Sequence, residues 1–403
     1  MIATVLLTLF LACLITLGFT YFGYLFYVKS CSGNDNVSVD FRKPKNTHRG
    51  ISIVIPTYNE ERVIAKKLEN TLSFFDHKDP IEIIVADDGS TDGTLNIVKE
   101  LKRNCKKKIV LMSHATHEGK PTVLNAACKI ARGEIVVITD ADVFLTKESF
   151  ISLTSNFSDP NVGAVCGREI ILNPNDNFIT RIEHNYRNFF HLRVHAEKTT
   201  DFPPIPFHGG LMALRKRLYT DLPADIIGDD HEIAIRIWRS GYKVIYDPRS
   251  IFLEYATQSL AEIYEQKKRR AYGVIQCILM NKDLLLNSRA GGFGMVRFPI
   301  LALEFFICPF AFFLGITSLL FYSLLTKNFI WLIFLMTIIT LMFVVIRPAR
   351  KRSLKDMLYM IFGVFIFQTA IAHAVLDTLF GISKPEWKKI EGQRPTSALT
   401  SLE

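Results

Sequence analysis

The sequence predicts an α/β protein: a water-soluble middle built on a mostly parallel sheet, with apolar membrane helices at both ends. Three observations carry this expectation. Between residues 50 and 250, short β-branched runs alternate with helical patterns, which implies βαβ units. Residues 2–28 contain no charged side chain, and three further apolar stretches follow residue 298. Composition lies between the soluble and the wholly membrane-bound, with 22% charged and 49% hydrophobic residues in 403 and a mean hydropathy of +0.20. It excludes disorder, collagen-like repeats and disulfide-stapled miniproteins. The net charge of +9 fits cytoplasmic loops beside anionic lipid, and nothing points to a nucleic-acid partner.

The first apolar run is long enough to cross a ~30 Å hydrocarbon core. It lacks the basic start and small-residue cleavage site of a signal peptide. Lys29, Arg42, Lys43, Lys45 and Arg49 follow it. The positive-inside rule therefore places the N-terminus outside and the soluble part in the cytoplasm, at the plasma membrane of the cell. Phe298–Thr326, interrupted only by Glu304, and the uncharged Phe329–Ile346 flank Lys327-Asn328 and read as a helical hairpin. Arg347, Arg350, Lys351, Arg352 and Lys355 then mark a cytoplasmic loop. Met357–Ser383 contains Gln368, His373 and Asp377 and precedes a basic tail, so full span and re-entrant hairpin both fit its charges. Glu304 admits two readings, lining a polymer path or resting near the interface.

These features divide the chain into a membrane helix (1–28), a linker (29–49), the soluble domain (50–255), amphipathic interfacial helices (256–297), C-terminal membrane helices (298–383) and a basic tail (384–403). The seven cysteines show no metal-binding spacing and read as free thiols in a reducing compartment.

Within the soluble domain, strands are expected at Ile51–Ile55, Ile81–Ala86, Ile109–Ser113 and Glu134–Thr139, with helices such as Val63–Phe75 and Thr94–Leu101 between them. In such a sheet ligands bind beyond the carboxyl ends of the strands. Polar clusters fall at those places: Pro56-Thr57-Tyr58-Asn59-Glu60, Asp87-Asp88-Gly89-Ser90-Thr91-Asp92-Gly93 and Asp140-Ala141-Asp142. Singly, an Asp-Asp-Gly-Ser stretch is more often a turn with a helix cap. Three acidic clusters on one edge need a cation or hydrogen-bond donors to offset their repulsion. Asp140 and Asp142 supply hard oxygen ligands suited to Mg²⁺ or Mn²⁺, with other positions left to water and phosphate. The run Lys102, Arg103, Lys106, Lys107 and Lys108 reads as a solvated helix end.

The order of these clusters, with Gly119-Lys120-Pro121-Thr122-Val123-Leu124-Asn125 between the second and third and Gly228-Asp229-Asp230 and Gln266-Lys267-Lys268-Arg269 after them, resembles the family-two glycosyltransferases of GT-A fold. More narrowly, it looks like the membrane synthases of hyaluronan, chitin oligosaccharide and poly-N-acetylglucosamine. The resemblance covers about residues 50–275, and the late hairpin also fits.

That resemblance implies roles by position. Thr57, Tyr58 and Glu60 would hold the nucleotide base, with Asp88 on the uracil. Lys120 would lie near base or diphosphate, Asp140 near ribose and metal, and Asp142 would ligate the metal. Asp230 would be the general base, which requires its pKa to rise through burial beside other acids. Asp229-Asp230 also suits a helix N-terminus. His208, Gly209, Gly210 and Asp229 would line the acceptor site, with a structural histidine as the alternative for His208. Gln266 and Arg269, three apart on one helix face, would meet the diphosphate. Arg270 stands where the family usually has the Trp that meets the acceptor sugar, which puts acceptor type in question. Lys267–Arg270 also reads as a solvated basic face on lipid, in a stretch whose Leu260, Ile263, Tyr264, Val274, Ile275 and Ile278 are amphipathic.

The resulting expectation is a metal-dependent, inverting hexosyltransferase. It takes a UDP-sugar, UDP-N-acetylglucosamine first among them, and builds a β-linked polysaccharide or oligosaccharide at the cytoplasmic face. Three or four spans are few for a polysaccharide channel, so either the product is short or further copies or an accessory membrane subunit complete the path. The runner-up passes one sugar to a lipid acceptor, a polyprenyl phosphate or a glycolipid. A channel with a nucleotide-sensing domain is the reading from another class, and it needs no Asp230.

Overall fold

The structure, a computed structural model, describes residues 1–31, 50–75, 80–104, 108–197, 200, 202–205, 207–337 and 354–382. Arg42, Lys43, Lys45, Arg49, Lys106, Lys107, the end of Phe329–Ile346, the cations from Arg347 to Arg352 and the basic tail lie outside them, as does Cys105. The chain forms two units, Asn34–Leu172 with Asp201–Tyr255, and Met1–Gly33 with Asn173–Thr200 and Ala256–Glu403.

The first unit is built on one mixed sheet. Its strands are β1 (Ile51–Thr57), β2 (Ile81–Asp87), β3 (Ile109–Ser113), β4 (Ile135–Thr139), β5 (Phe144–Leu145), β6 (Val162–Ile171), β7 (Leu211–Arg215) and β8 (Lys243–Glu254), ordered β3-β2-β1-β4-β7-β6-β8-β5. β3, β2, β1 and β4 run parallel. Their interiors are continuous apolar runs such as Ile53-Val54-Ile55 and Ile83-Ile84-Val85-Ala86, all buried. Strands covered on both faces need that composition instead of an alternating one. β7 enters antiparallel to both β4 and β6, and β5 lies antiparallel to β8. The expected parallel sheet is thus a mostly parallel mixed one. The four expected strands appear within two residues of their expected ends.

The helix Ile64–Leu72 buries Ile64, Lys67, Leu68 and Thr71. Their spacing of three, four and seven is that of one helix face. It packs Ile64 and Leu68 into the apolar cluster around Ile53, Ile83 and Val137. Lys102 and Arg103 end the helix Thr94–Asn104 exposed, as a solvated helix end should.

The second unit is helical. Ile2–Val28, Phe293–Thr326 and Lys355–Phe380 are 27, 34 and 26 residues long and apolar enough to cross a membrane. At ~1.5 Å per residue each exceeds a ~30 Å hydrocarbon core. The last is continuous within the helix Leu354–Phe380, so the hairpin alternative for that stretch is not what forms. A helical stretch at 330–337 follows the turn at Lys327, whose φ of 54° is left-handed.

Several buried charged side chains in this unit are paired. Arg193 Nη1 lies 2.7 Å from Glu304, and Arg193 and Arg297 both approach Glu197, at 3.3 and 3.2 Å. The Tyr24 hydroxyl donates to Glu197 at 2.9 Å. Glu304 is therefore a buried ion-pair member joining its helix to Phe178–Glu197. Along Leu260–Met280, Lys267 is buried against Glu183 at 2.6 Å and over the Tyr186 ring, and Lys268 pairs with Asp377 at 2.6 Å. The reading of Lys267–Arg270 as a solvated basic face is corrected at those two positions, because carboxylates on neighbouring helices take both ammoniums. Ile275 of the same helix packs with Ala374 and Val375.

Candidate active site

The strand ends of the sheet unit gather the predicted residues. β1 ends at Thr57, and Asn59 just beyond takes a left-handed φ of 54°. The Asn59 side chain accepts the Thr91 N–H at 2.8 Å, and the Glu60 N–H donates to the Thr94 hydroxyl at 2.7 Å. The first and second polar clusters are thereby laced together. Asp87 closes a turn by accepting from the Gly89 and Ser90 amides, and Asp92 caps the next helix at Thr94. For these two aspartates the turn-and-cap reading is what the structure shows.

Asp88 has a different task. Its carboxylate accepts the Glu118 and Gly119 amides at 2.8 and 2.9 Å, and His117 Nδ1 lies 2.7 Å away. The His117 ring stacks on Tyr58 with centroids 4.1 Å apart. Gly89, at φ +73°, lets the backbone pass against Thr116 and His117, where a Cβ would lie 2.7 Å from the Thr116 carbonyl carbon. Asp88 thus anchors the loop that carries Lys120, and Tyr58 with His117 forms an aromatic shelf beside it. Thr57 and Glu60 lie buried at the base of this loop cluster.

Lys120 opens the helix Lys120–Ile130 and reaches across the strand ends. Its Nζ is 2.8 Å from Asp140 and 3.8 Å from Asp229. Burial alone would lower its pKa, but Asp140, Asp229 and Asp230 outweigh burial and hold it raised. The ammonium therefore joins the acidic motif after β4 to the one that opens the helix Asp229–Arg239. Asp140 is about a third exposed at 36%, and Asp142 is half-buried in the same turn.

Asp230 is pushed up to about 6, by burial first and by Asp140, against the opposing pull of Lys120 and the amides of His231 and Gly209. Asp229 is raised as well, again chiefly by burial. The upward shift expected of a general base is present. Beside it, His231 is lowered to about 4 by burial, so its ring is neutral. Its Nδ1 accepts the Phe207 N–H at 3.2 Å, so the 3.0 Å approach to Asp230 is no ion pair. Gly209 lies against Asp230, where a Cβ would sit 3.0 Å from Oδ2. The Gly210 carbonyl accepts the Asp140 N–H at 3.3 Å, so the glycine pair links both acidic motifs. His208 stands 3.6 Å from buried Glu169 and edge-on to Phe252.

Gln266, Arg269 and Arg270 lie half-buried on Leu260–Met280 in the helical unit. Asp140, Asp229, Asp230, Lys120, Gly209 and Gly210 are thus brought together in one unit, with Tyr58 and Asp88 on the adjoining loops. Sequence reasoning missed Lys67, His117, Glu169 and His231. Lys67 had left a signal, a cation on the apolar face of an amphipathic helix. The others take their roles from packing partners far along the chain.

Among the described residues no group of three or more His, Cys, Asp or Glu gathers to hold an ion unaided. Asp140 and Asp142 nevertheless fit a hard cation that draws its other ligands from water and phosphate. The Lys120 ammonium shows that this cluster accepts a positive charge, and buried Asp229 Oδ2 accepts no hydrogen bond among the described residues.

Comparison with known proteins agrees with this geometry. Residues 52–222 match the family model described as "Glycosyl transferase family 2". The chain is 27% identical over 274 residues to "Probable glycosyltransferase YdaM" of Bacillus subtilis (strain 168), covering 66% of this chain and 64% of that protein. It is 26% identical over 262 residues to "Poly-beta-1,6-N-acetyl-D-glucosamine synthase" of Staphylococcus aureus (strain COL), covering 64% and 60%. The matches thus span less than two thirds of either relative's length. Among solved structures, the mannosyltransferase PcManGT of Pyrobaculum calidifontis, in complex with GDP-Man and Mn²⁺, superposes with a TM-score of 0.72. It has 24% identity and covers 95% of this chain and 100% of that one. The chain carries a family 2 glycosyltransferase domain of GT-A fold at residues 52–222, accompanied, among the described residues, by three helices long and apolar enough to span a membrane.

Proposed function

We propose that the protein is a membrane-embedded, metal-dependent inverting glycosyltransferase. It takes a UDP-sugar, UDP-N-acetylglucosamine foremost, and extends a β-linked saccharide at the cytoplasmic face. The observation that carries this reading is the convergence of Asp140, Asp229 and Asp230 on Lys120, with Asp230 held near pKa 6.

Asp230 removes the proton from an acceptor hydroxyl as its oxygen attacks the anomeric carbon. The bond from that carbon to the diphosphate oxygen breaks in the same displacement, so an α-linked donor yields a β-linkage. An ordinary Asp near ~3.9 is a weak base, whereas one near 6 is roughly nine-tenths ionised at pH 7 and better matched to the proton it takes. The neutral His231 adds no charge that would depress Asp230 further. A divalent cation at Asp142, when bound, would stabilise the charge developing on the leaving diphosphate. Lys120 stands where its ammonium reaches phosphate oxygens once a donor competes for it. By the family motif, Gln266 and Arg269 are assigned to the diphosphate, and His208, Gly209, Gly210 and Asp229 to the acceptor. The base falls to Thr57, Tyr58, Glu60 and Asp88, with the Tyr58–His117 shelf as its stacking surface.

The test is a pair of variants. Asp142→Asn and Asp230→Asn should each lower transfer by about 10²- to 10⁴-fold while circular dichroism stays unchanged. An active Asp230→Asn protein would overturn the base assignment. Arg270 favours a second reading, transfer of one sugar to a lipid acceptor, because a guanidinium in place of an aromatic ring suits a lipid-linked phosphate better than a sugar face.

A further inference from the structure

The helix Ile64–Leu72 stands outside every motif used above, yet its side chains hold the Asp140–Asp142 turn. Lys67 is fully buried. Its Nζ donates to the Thr139 hydroxyl at 2.9 Å and to the Val143 carbonyl at 2.5 Å, the residues on either side of Asp140-Ala141-Asp142. Asn70, three residues on and on the same helix face, continues the pattern. Its Nδ2 donates to the Leu145 carbonyl at 2.9 Å, and its Oδ1 accepts the Leu145 N–H at 3.1 Å.

We infer that Lys67 and Asn70 are positioning residues that clamp the Asp140–Asp142 turn in the geometry a divalent cation and a nucleoside diphosphate require. Burying an amine costs far more than burying a methionine of similar length, so filling the core does not explain Lys67. Two donors directed at both ends of one acidic turn do explain it. Groups that orient metal ligands without touching the metal typically change affinity by roughly 10- to 100-fold when removed. The inference rests on the proposed cation site, and its test is chosen so that the two can fail separately.

The experiment titrates Mn²⁺, alone and with UDP, into the full-length protein in lipid, reading bound Mn²⁺ by electron paramagnetic resonance and the metal-free melting temperature in parallel. Lys67→Met should bind Mn²⁺ with UDP about 10- to 100-fold more weakly, with an unchanged or higher metal-free melting temperature. Thr139→Val, which deletes one acceptor in place, should weaken binding in the same sense and carries the test if Lys67→Met does not fold. Wild-type affinity in both variants would overturn the clamp while leaving the proposed function intact. A wild-type protein that retains no Mn²⁺ with UDP would overturn both.

Discussion

At Asp230 the proposed chemistry and the stability of the sheet unit oppose each other. Its pKa near 6 means that the folded protein binds a proton more tightly than the unfolded chain does. The stability this contributes is fully present below the unfolded value near ~3.8 and is lost as pH rises through about 6. Two outcomes follow. With wild type, log kcat/KM should climb with unit slope below pH 6 and level off above it. A flat profile between pH 5 and 8 would contradict the assignment. Asp230→Asn should melt higher than wild type above pH 6, by up to about 3 kcal/mol in stability, and lose that advantage toward pH 4. The motif residues were legible because each sits in a contiguous word: Thr57, Asp88 and Asp140 at or just past a strand end, Lys120 and Asp230 at a helix start. His117, Glu169 and His231 were not, since a sequence does not say which side chains will stack on Tyr58 or accept the Phe207 amide. Gly209, expected to line the acceptor site, lies against the Asp230 carboxylate.

Buried ion pairs fasten the helical elements. Glu304 is paired with Arg193 and lies 3.8 Å from Arg297, and Glu197 meets both arginines. Removing one partner leaves a buried charge uncompensated and costs about 3–5 kcal/mol, whereas replacing a pair by apolar groups is often neutral. Glu304→Ala should therefore lower the melting temperature in lipid markedly, and Arg193→Met combined with Glu304→Met should recover much of the loss. Equal melting of the single variant and wild type would show that the network contributes nothing. Helix existence was plain from apolar length, and the strands β1–β4 from β-branched runs bounded by turn residues. The pairing of Lys267 with Glu183 and of Lys268 with Asp377 was hidden, because a run of cations looks the same whether water or a neighbouring helix receives it. The antiparallel insertion of β7 was also hidden, since strand order depends on contacts distant in sequence.

At the scale of the whole chain, a family 2 glycosyltransferase domain is covalently continuous with helices of membrane-spanning length. We propose that this continuity serves delivery, keeping the acceptor or product at the bilayer while the donor arrives from the cytoplasm. Poly-N-acetylglucosamine synthases are among the similar proteins, but each match covers less than two thirds of their length, and Arg270 departs from the pattern of polymer synthases. Donor and product size thus form the central claim. The decisive measurement supplies purified protein in lipid and Mn²⁺ with radiolabelled UDP-N-acetylglucosamine, UDP-glucose, UDP-glucuronate and GDP-mannose in turn, and sizes the labelled product. The account predicts a glycosidase-sensitive saccharide ladder from UDP-N-acetylglucosamine, lost in Asp230→Asn. Label transferred only from GDP-mannose, or confined to an organic-extractable lipid carrying a single sugar, would contradict it.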